Sequence, residues 1–164
     1  MHLIVCDMPL RDTNYRSKRG SIDAPIGFAN SNGAGDAMPK KPTILVVDDE
    51  PQILRAMQDL LEDDCVVLAA SSGQEGLLLI DQRPEICVIL SDQRMPKMDG
   101  SEFFLRVQEK STATRIMFSG FTDFGDLVRA INDGHIYAFV SKPFNLEELH
   151  RVLRSAFALI GATE

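Results

Sequence analysis

The stretch "TILVVDDEPQILRAMQDLLEDDCVVLAA", residues 43–70, decides how the rest of the chain is read. It opens on an aliphatic run, Ile44 to Val47, that stops abruptly at Asp48 and Asp49. Such an uninterrupted run predicts a strand buried on both faces, since a strand with one wet face would alternate polar and apolar residues. Pro51 then stands where a helix can begin, because its missing N–H is one that the first helical turn leaves unbonded anyway. Ile53, Leu54, Met57, Leu60 and Leu61 follow at helical spacing and predict one apolar stripe. "CVVLAA", 65–70, reads as a second strand. Strand, helix and strand in so short a span form the βαβ unit of a parallel sheet covered by helices.

The alternation continues to the end of the chain. Ser72 with Glu75 makes a capping box that opens a second helix, and "EICVILSD", 85–92, is the third strand. A helix over about 101–110 presents Phe103, Phe104 and Val107. "RIMFSG", 115–120, is the fourth strand, and Asp123 and Asp126 cap a helix that ends at Asn132-Asp133-Gly134. "YAFVS", 137–141, is the fifth strand. Asn145 with Glu148 then opens a last helix carrying Leu146, Leu149, Val152, Leu153, Ala156, Phe157 and Ile160 on one side. The expected fold is α/β: a doubly wound sheet of five parallel strands with five helices in three layers.

A chain of 164 residues, 45% hydrophobic and 25% charged, suits one globular domain with a sizeable core. Residues 11–42 mix polar residues with isolated apolar ones and keep no period, so 1–41 is expected to be a flexible tail, 42–160 the domain and 161–164 a short C-terminal tail. The tail's "NGAGDA" holds a Gly-x-Gly, but no strand precedes it and no third glycine follows, so it reads as linker. The net charge is −7; residues 1–42 hold six Lys/Arg against four Asp/Glu, leaving 11 against 20 for the domain, which argues against a nucleic-acid surface. Three cysteines, odd in number and far apart, point to a reducing cytosol, with Cys87 expected as a small buried hydrophobe. Neither a signal-peptide core nor a membrane span of roughly 20 apolar residues is present, so the expectation is a soluble cytoplasmic protein with no membrane contact.

Ligand sites of open parallel sheets lie beyond the carboxyl ends of the strands. The residues there are Asp48 and Asp49 after the first strand, Asp92 after the third, Ser119 after the fourth and Lys142 after the fifth. Singly each has an ordinary role as turn residue, strand-end hydroxyl or solvated charge; their coincidence on successive strand ends argues for a site. Three carboxylates at one sheet edge repel unless a hard cation holds them, and Mg²⁺ takes oxygen ligands while keeping waters. A carboxylate nucleophile, a divalent metal, an ammonium and a hydroxyl are what phosphoryl transfer onto an aspartate requires.

In the order "ILVVDDE", "SDQRMPKMDG", "IMFSG" and "FVSKPF", the chain resembles the receiver domains of two-component response regulators over about 43–160. The resemblance implies the flavodoxin-like strand order 2-1-3-4-5. It implies Asp92 as phosphoacceptor, Asp48 and Asp49 with Asp92 as Mg²⁺ ligands, Ser119 as switch hydroxyl, Lys142 as phosphate contact and Phe139 as switch aromatic. Pro96 and Gly100 are read as shaping the loop after Asp92, Met95 as packing, and Lys142-Pro143 as a candidate cis peptide. Ser119 stands where threonine is commoner, keeping the hydroxyl and losing a methyl that limits rotamers. Arg94 and Phe121, each two residues beyond a site residue, are bulky enough to hinder attack by water.

The family implies a phosphoacceptor module and not an enzyme, fed by a sensor histidine kinase or phosphotransfer protein. Its output would be a downstream protein target or a fused domain, or a homodimer through the fourth helix, fifth strand and fifth helix. "RAINDGHIYAFVSKPF" is similar to receivers that precede HD-GYP-type phosphodiesterases, and the chain is read as a single-domain regulator or the receiver of a longer protein. The competing reading is a flavin- or nucleotide-binding enzyme on the same scaffold, against which stands the lack of any phosphate-binding loop after the first strand.

Overall fold

Aliphatic runs that cannot leave a face in water become the middle layer of the molecule. A computed structural model describes residues 41–120, 136–143 and 145–161. Its strands are β1 (Thr43–Val47), β2 (Val66–Ala70), β3 (Ile86–Asp92), β4 (Thr114–Ser119) and β5 (Ala138–Ser141). The described helices are α1 (Pro51–Leu61), α2 (Gly73–Gln82), α3 (Gly100–Val107) and α4 (Leu146–Gly161). The helix expected over about 123–133, Phe121, and residues 1–40 of the expected tail lie outside the described residues. All pairings are parallel, in the order β2-β1-β3-β4-β5 expected from the resemblance.

Alternation along the strands splits the core in two. Ile44, Val46, Leu90, Ile116, Phe118 and Val140 face Leu54, Met57 and Leu61 of α1 and Leu149, Val152, Leu153 and Ala156 of α4. Leu45, Val47, Ile89 and Met117 face Ile80 of α2 and Phe103, Phe104 and Val107 of α3. A register irregularity at Thr43/Ile44 against β3 breaks the alternation, so consecutive residues Cys87 and Val88 pack toward the same side. Cys87 is therefore half-buried, less enclosed than expected, and its thiol donates to Thr43 O at 3.2 Å.

Local signals hold with small shifts. Ser72 Oγ accepts from Glu75 N at 3.3 Å, and Glu75 reaches back one residue further than a standard box, accepting from Ser71 N and Oγ at 2.7 Å. Asn145 Oδ1 accepts from Glu148 N at 2.7 Å. The stripe of α1 is narrower than expected: Leu60 is 41% exposed, because it lies about 100° around the axis from Leu61. Helix α4 runs through Gly161, one residue past the expected boundary.

Candidate functional site

The site forms where β1, β3, β4 and β5 end together. Asp48, one residue past β1, is fully buried, and its Oδ1 accepts from Glu50 N at 2.8 Å. Asp92, the last residue of β3, is 7% exposed, and its Oδ2 accepts from Arg94 N at 2.9 Å. Lys142 bridges the two: its Nζ lies 2.8 Å from Asp92 Oδ1 and 2.9 Å from Asp48 Oδ2. Two buried carboxylates thus share one ammonium, and this cluster carries a net charge of −1.

The surroundings push both ends of this bridge. Burial raises the Asp92 carboxyl above its ordinary range; the contact with Lys142 works the other way without cancelling it, and Asp48 adds to the rise. Burial works against the charge of Lys142, but the bonds to Asp92 and Asp48 outweigh it and hold its proton more firmly than usual.

Ser119 is buried at the end of β4, and its Oγ donates to Gly120 O at 3.3 Å, long for a hydroxyl bond. Lys142 N donates to Ser119 O at 2.7 Å, tying the lysine to the β4 end. The Lys142-Pro143 peptide is cis, as the sequence suggested. Phe139, paired with Met117 across β4 and β5, is half-buried against the core on the α2/α3 side. Asp49, at the bend just past Asp48, lies on the surface. The expected gathering of three carboxylates is accordingly not seen: among the described residues no group of three His, Cys, Asp or Glu side chains is placed to hold a metal. The donor chemistry nonetheless suits Mg²⁺, which needs only one or two carboxylates and prefers hard oxygen to nitrogen or sulfur.

The loop after Asp92 is fixed at both ends. Gln93 N donates to Phe118 O and Gly100 N to Gln93 O, each at 3.0 Å. A Cβ on Gly100 would collide with the Asp92 carbonyl oxygen and stand 3.0 Å from Gln93 Cα, so only glycine lets α3 start this close to the end of β3. Met98 N donates to Pro96 O at 2.8 Å around Lys97, whose φ of 70° is unusual for a residue with a side chain. Met95 is core, as read from the sequence; buried Met98 and Gln93 were not singled out, nor was Asp99 as the cap of α3, accepting from Glu102 N at 2.8 Å. The Asp99/Glu102 spacing carried that last signal; an isolated Met carries none.

The model of the response regulator receiver domain matches residues 44–154. The chain belongs to the response regulator receiver domain family. This receiver domain is 38% identical over 123 residues to the hydrogenase transcriptional regulatory protein HoxA of Cupriavidus necator, covering 74% of this chain and 25% of that protein. It is 38% identical over 114 residues to the transcriptional regulatory protein KdpE of Mycobacterium tuberculosis, covering 69% of this chain and 50% of that protein. The chain therefore spans a quarter to a half of the length of these curated relatives. The signal receiver domain of an HD domain-containing protein from Pseudomonas fluorescens Pf-5 is 33% identical with a TM-score of 0.70, covering 75% of this chain and 99% of that one. The match of fold, motifs and relatives leaves the flavin- or nucleotide-enzyme reading without support. Among the described residues, no helix is long and apolar enough to cross a membrane.

Proposed function

We propose that Asp92 accepts the phosphoryl group of a two-component relay, from a phosphohistidine of a sensor histidine kinase or phosphotransfer protein in the cytoplasm. The observation that carries this reading is the Lys142 ammonium seated between two buried carboxylates, of which Asp92 keeps a solvent-facing edge. A carboxylate oxygen of Asp92 attacks phosphorus; the P–O bond forms as the N–P bond breaks, and its electron pair returns to the donor imidazole. Asp48 and Asp92, the two carboxylates that the fold brings together, would hold Mg²⁺ with Asp49 joining them from the surface, and the ion when bound would offset charge on the transferring phosphoryl oxygens. Lys142 exchanges its contact with Asp92 for one with the added phosphoryl group. Ser119 Oγ donates to the same group in place of Gly120 O.

That rearrangement leaves room for Phe139 to turn inward and re-form the face that β5 and α4 present. The switched face would meet a downstream target or a second copy of the chain, while Pro96, Gly100 and Pro143 keep the loops in shape. A fused output domain is in keeping with the transcriptional regulators and the HD domain-containing protein that it resembles; an HD-GYP-type phosphodiesterase is one such output. The receiver itself promotes only its own phosphorylation and dephosphorylation. The receiver unit in this reading is residues 42–160, with Gly161 closing its last helix.

The test is intact-mass analysis after incubation with acetyl phosphate and Mg²⁺. One phosphoryl group is expected on the wild type and none on Asp92→Asn. Equal labelling of the Asn variant would move the acceptor elsewhere.

A further inference from the structure

The acceptor carboxylate is aimed from two sides, and only one of them is a side chain. Lys142 holds Oδ1, whereas Oδ2 is held by the backbone N–H of Arg94, so the path of the loop after β3 decides where that N–H points. Backbone bonds fix this loop at Gln93 and Gly100. Between those points the chain turns tightly at Lys97 in the left-handed region, a conformation that persists only where the surroundings hold it. Lys97 is itself exposed, so the hold comes from its neighbours: Met95 and Met98 are 8% and 6% exposed and packed in the core on the α2/α3 side. Met98 goes furthest. A Cβ on Gly73, the first residue of α2, would stand 2.7 Å from its Sδ and 3.2 Å from its Cγ, so the thioether occupies the space that a side chain at 73 would need.

We infer that Met98, seated against Gly73, is a positioning residue for phosphoryl transfer: it pins the left-handed turn and thereby aims the Arg94 N–H at Asp92. The inference rests on Asp92 being the acceptor. Met98 touches neither donor nor phosphoryl group; it acts through the backbone of residues 94–97. A misplaced carboxylate still binds its donor but is seldom in line with it, so the maximal rate suffers and the donor concentration for half-maximal rate does not.

The experiment measures phosphorylation of the full chain against acetyl phosphate concentration at saturating Mg²⁺, below the melting temperature of each variant. Met98→Ala is expected to lower the maximal rate by about tenfold or more at unchanged half-saturation, and Met98→Leu, which refills the space, to restore most of it. Gly73→Ala, which displaces the sulfur without removing it, should slow the reaction too, and Met98→Ala added to it should cost little more. Met57→Ala removes an equally buried methionine from the opposite core and should melt earlier yet react at the wild-type rate. Should Met98→Ala fail to fold, Gly73→Ala decides. A wild-type maximal rate in Met98→Ala or Gly73→Ala, or an equal loss in Met57→Ala, overturns the positioning role. Absence of labelling on Asp92 in the wild type would instead overturn the acceptor assignment beneath it.

Discussion

Replacing Lys142 by methionine keeps most of the side-chain volume and removes the cation that, among the described residues, bridges Asp48 and Asp92. Both facing oxygens lie within 2.9 Å of Nζ, so they stand no more than about 6 Å apart and repel by about 3 kcal/mol at an effective dielectric constant near 20. Breaking a buried ion pair from one side costs about 3–5 kcal/mol, and the lower end applies because the Lys142 side chain is 22% exposed. At pH 8 without metal, Lys142→Met should therefore lose about 3 kcal/mol, or roughly 12 °C of melting temperature for a domain of about 120 residues. The sign of the pH dependence follows from Asp92. Its folded pKa already lies above the unfolded value, and removing the ammonium raises it further. A carboxyl raised in the folded state takes up protons on folding between the two pKa values, so stability falls as pH rises through that window. The deficit of the variant should shrink as the pH falls and Asp92 takes up its proton, because the repulsion then goes. Urea unfolding at pH 5 and pH 8 in EDTA measures the deficit and its change. A deficit under about 1 kcal/mol at pH 8, or one that grows on acidification, would refute the argument.

Three further outcomes are expected. Mg²⁺ should raise the melting temperature of the unphosphorylated protein, by about 2.7 kcal/mol of stability at a hundredfold excess over its dissociation constant, and Asp49→Ala should lose most of that shift; an unchanged shift in the variant would place the ion elsewhere. Gly100→Ala should cost about 2–3 kcal/mol by urea denaturation, because the new methyl meets the Asp92 carbonyl and neither backbone segment can yield cheaply; a change below 0.5 kcal/mol, roughly the spread for harmless surface substitutions, would show that the loop has slack. Burial pushes the Cys65 thiol up to about 11, which leaves roughly 0.1% thiolate at pH 8. Peptide-level mass spectrometry should find it unalkylated by iodoacetamide until urea is added, and rapid modification of the native protein would contradict its placement.

What the sequence determined by itself was whatever is written locally. The aliphatic runs at 44–47 and 88–90 forced a sheet buried on both faces, Ser72 and Asn145 marked helix starts, and the strand ends singled out Asp48, Asp92, Ser119 and Lys142 as candidates for a site. Strand order came from resemblance, since periodicity carries no information on which strands are neighbours. Tertiary structure alone decided how the charges divide. Asp48 and Asp49 are adjacent in sequence and equivalent in composition, yet the path of the chain past β1 buries one and exposes the other. Lys142 reaches across 94 residues of sequence to Asp48, a pairing set by the meeting of β1, β3 and β5 at one edge. The seat of Met98 on Gly73 was equally out of reach of the sequence, because the role of each depends on the space left by the other, and packing complementarity exists only once the chain has folded.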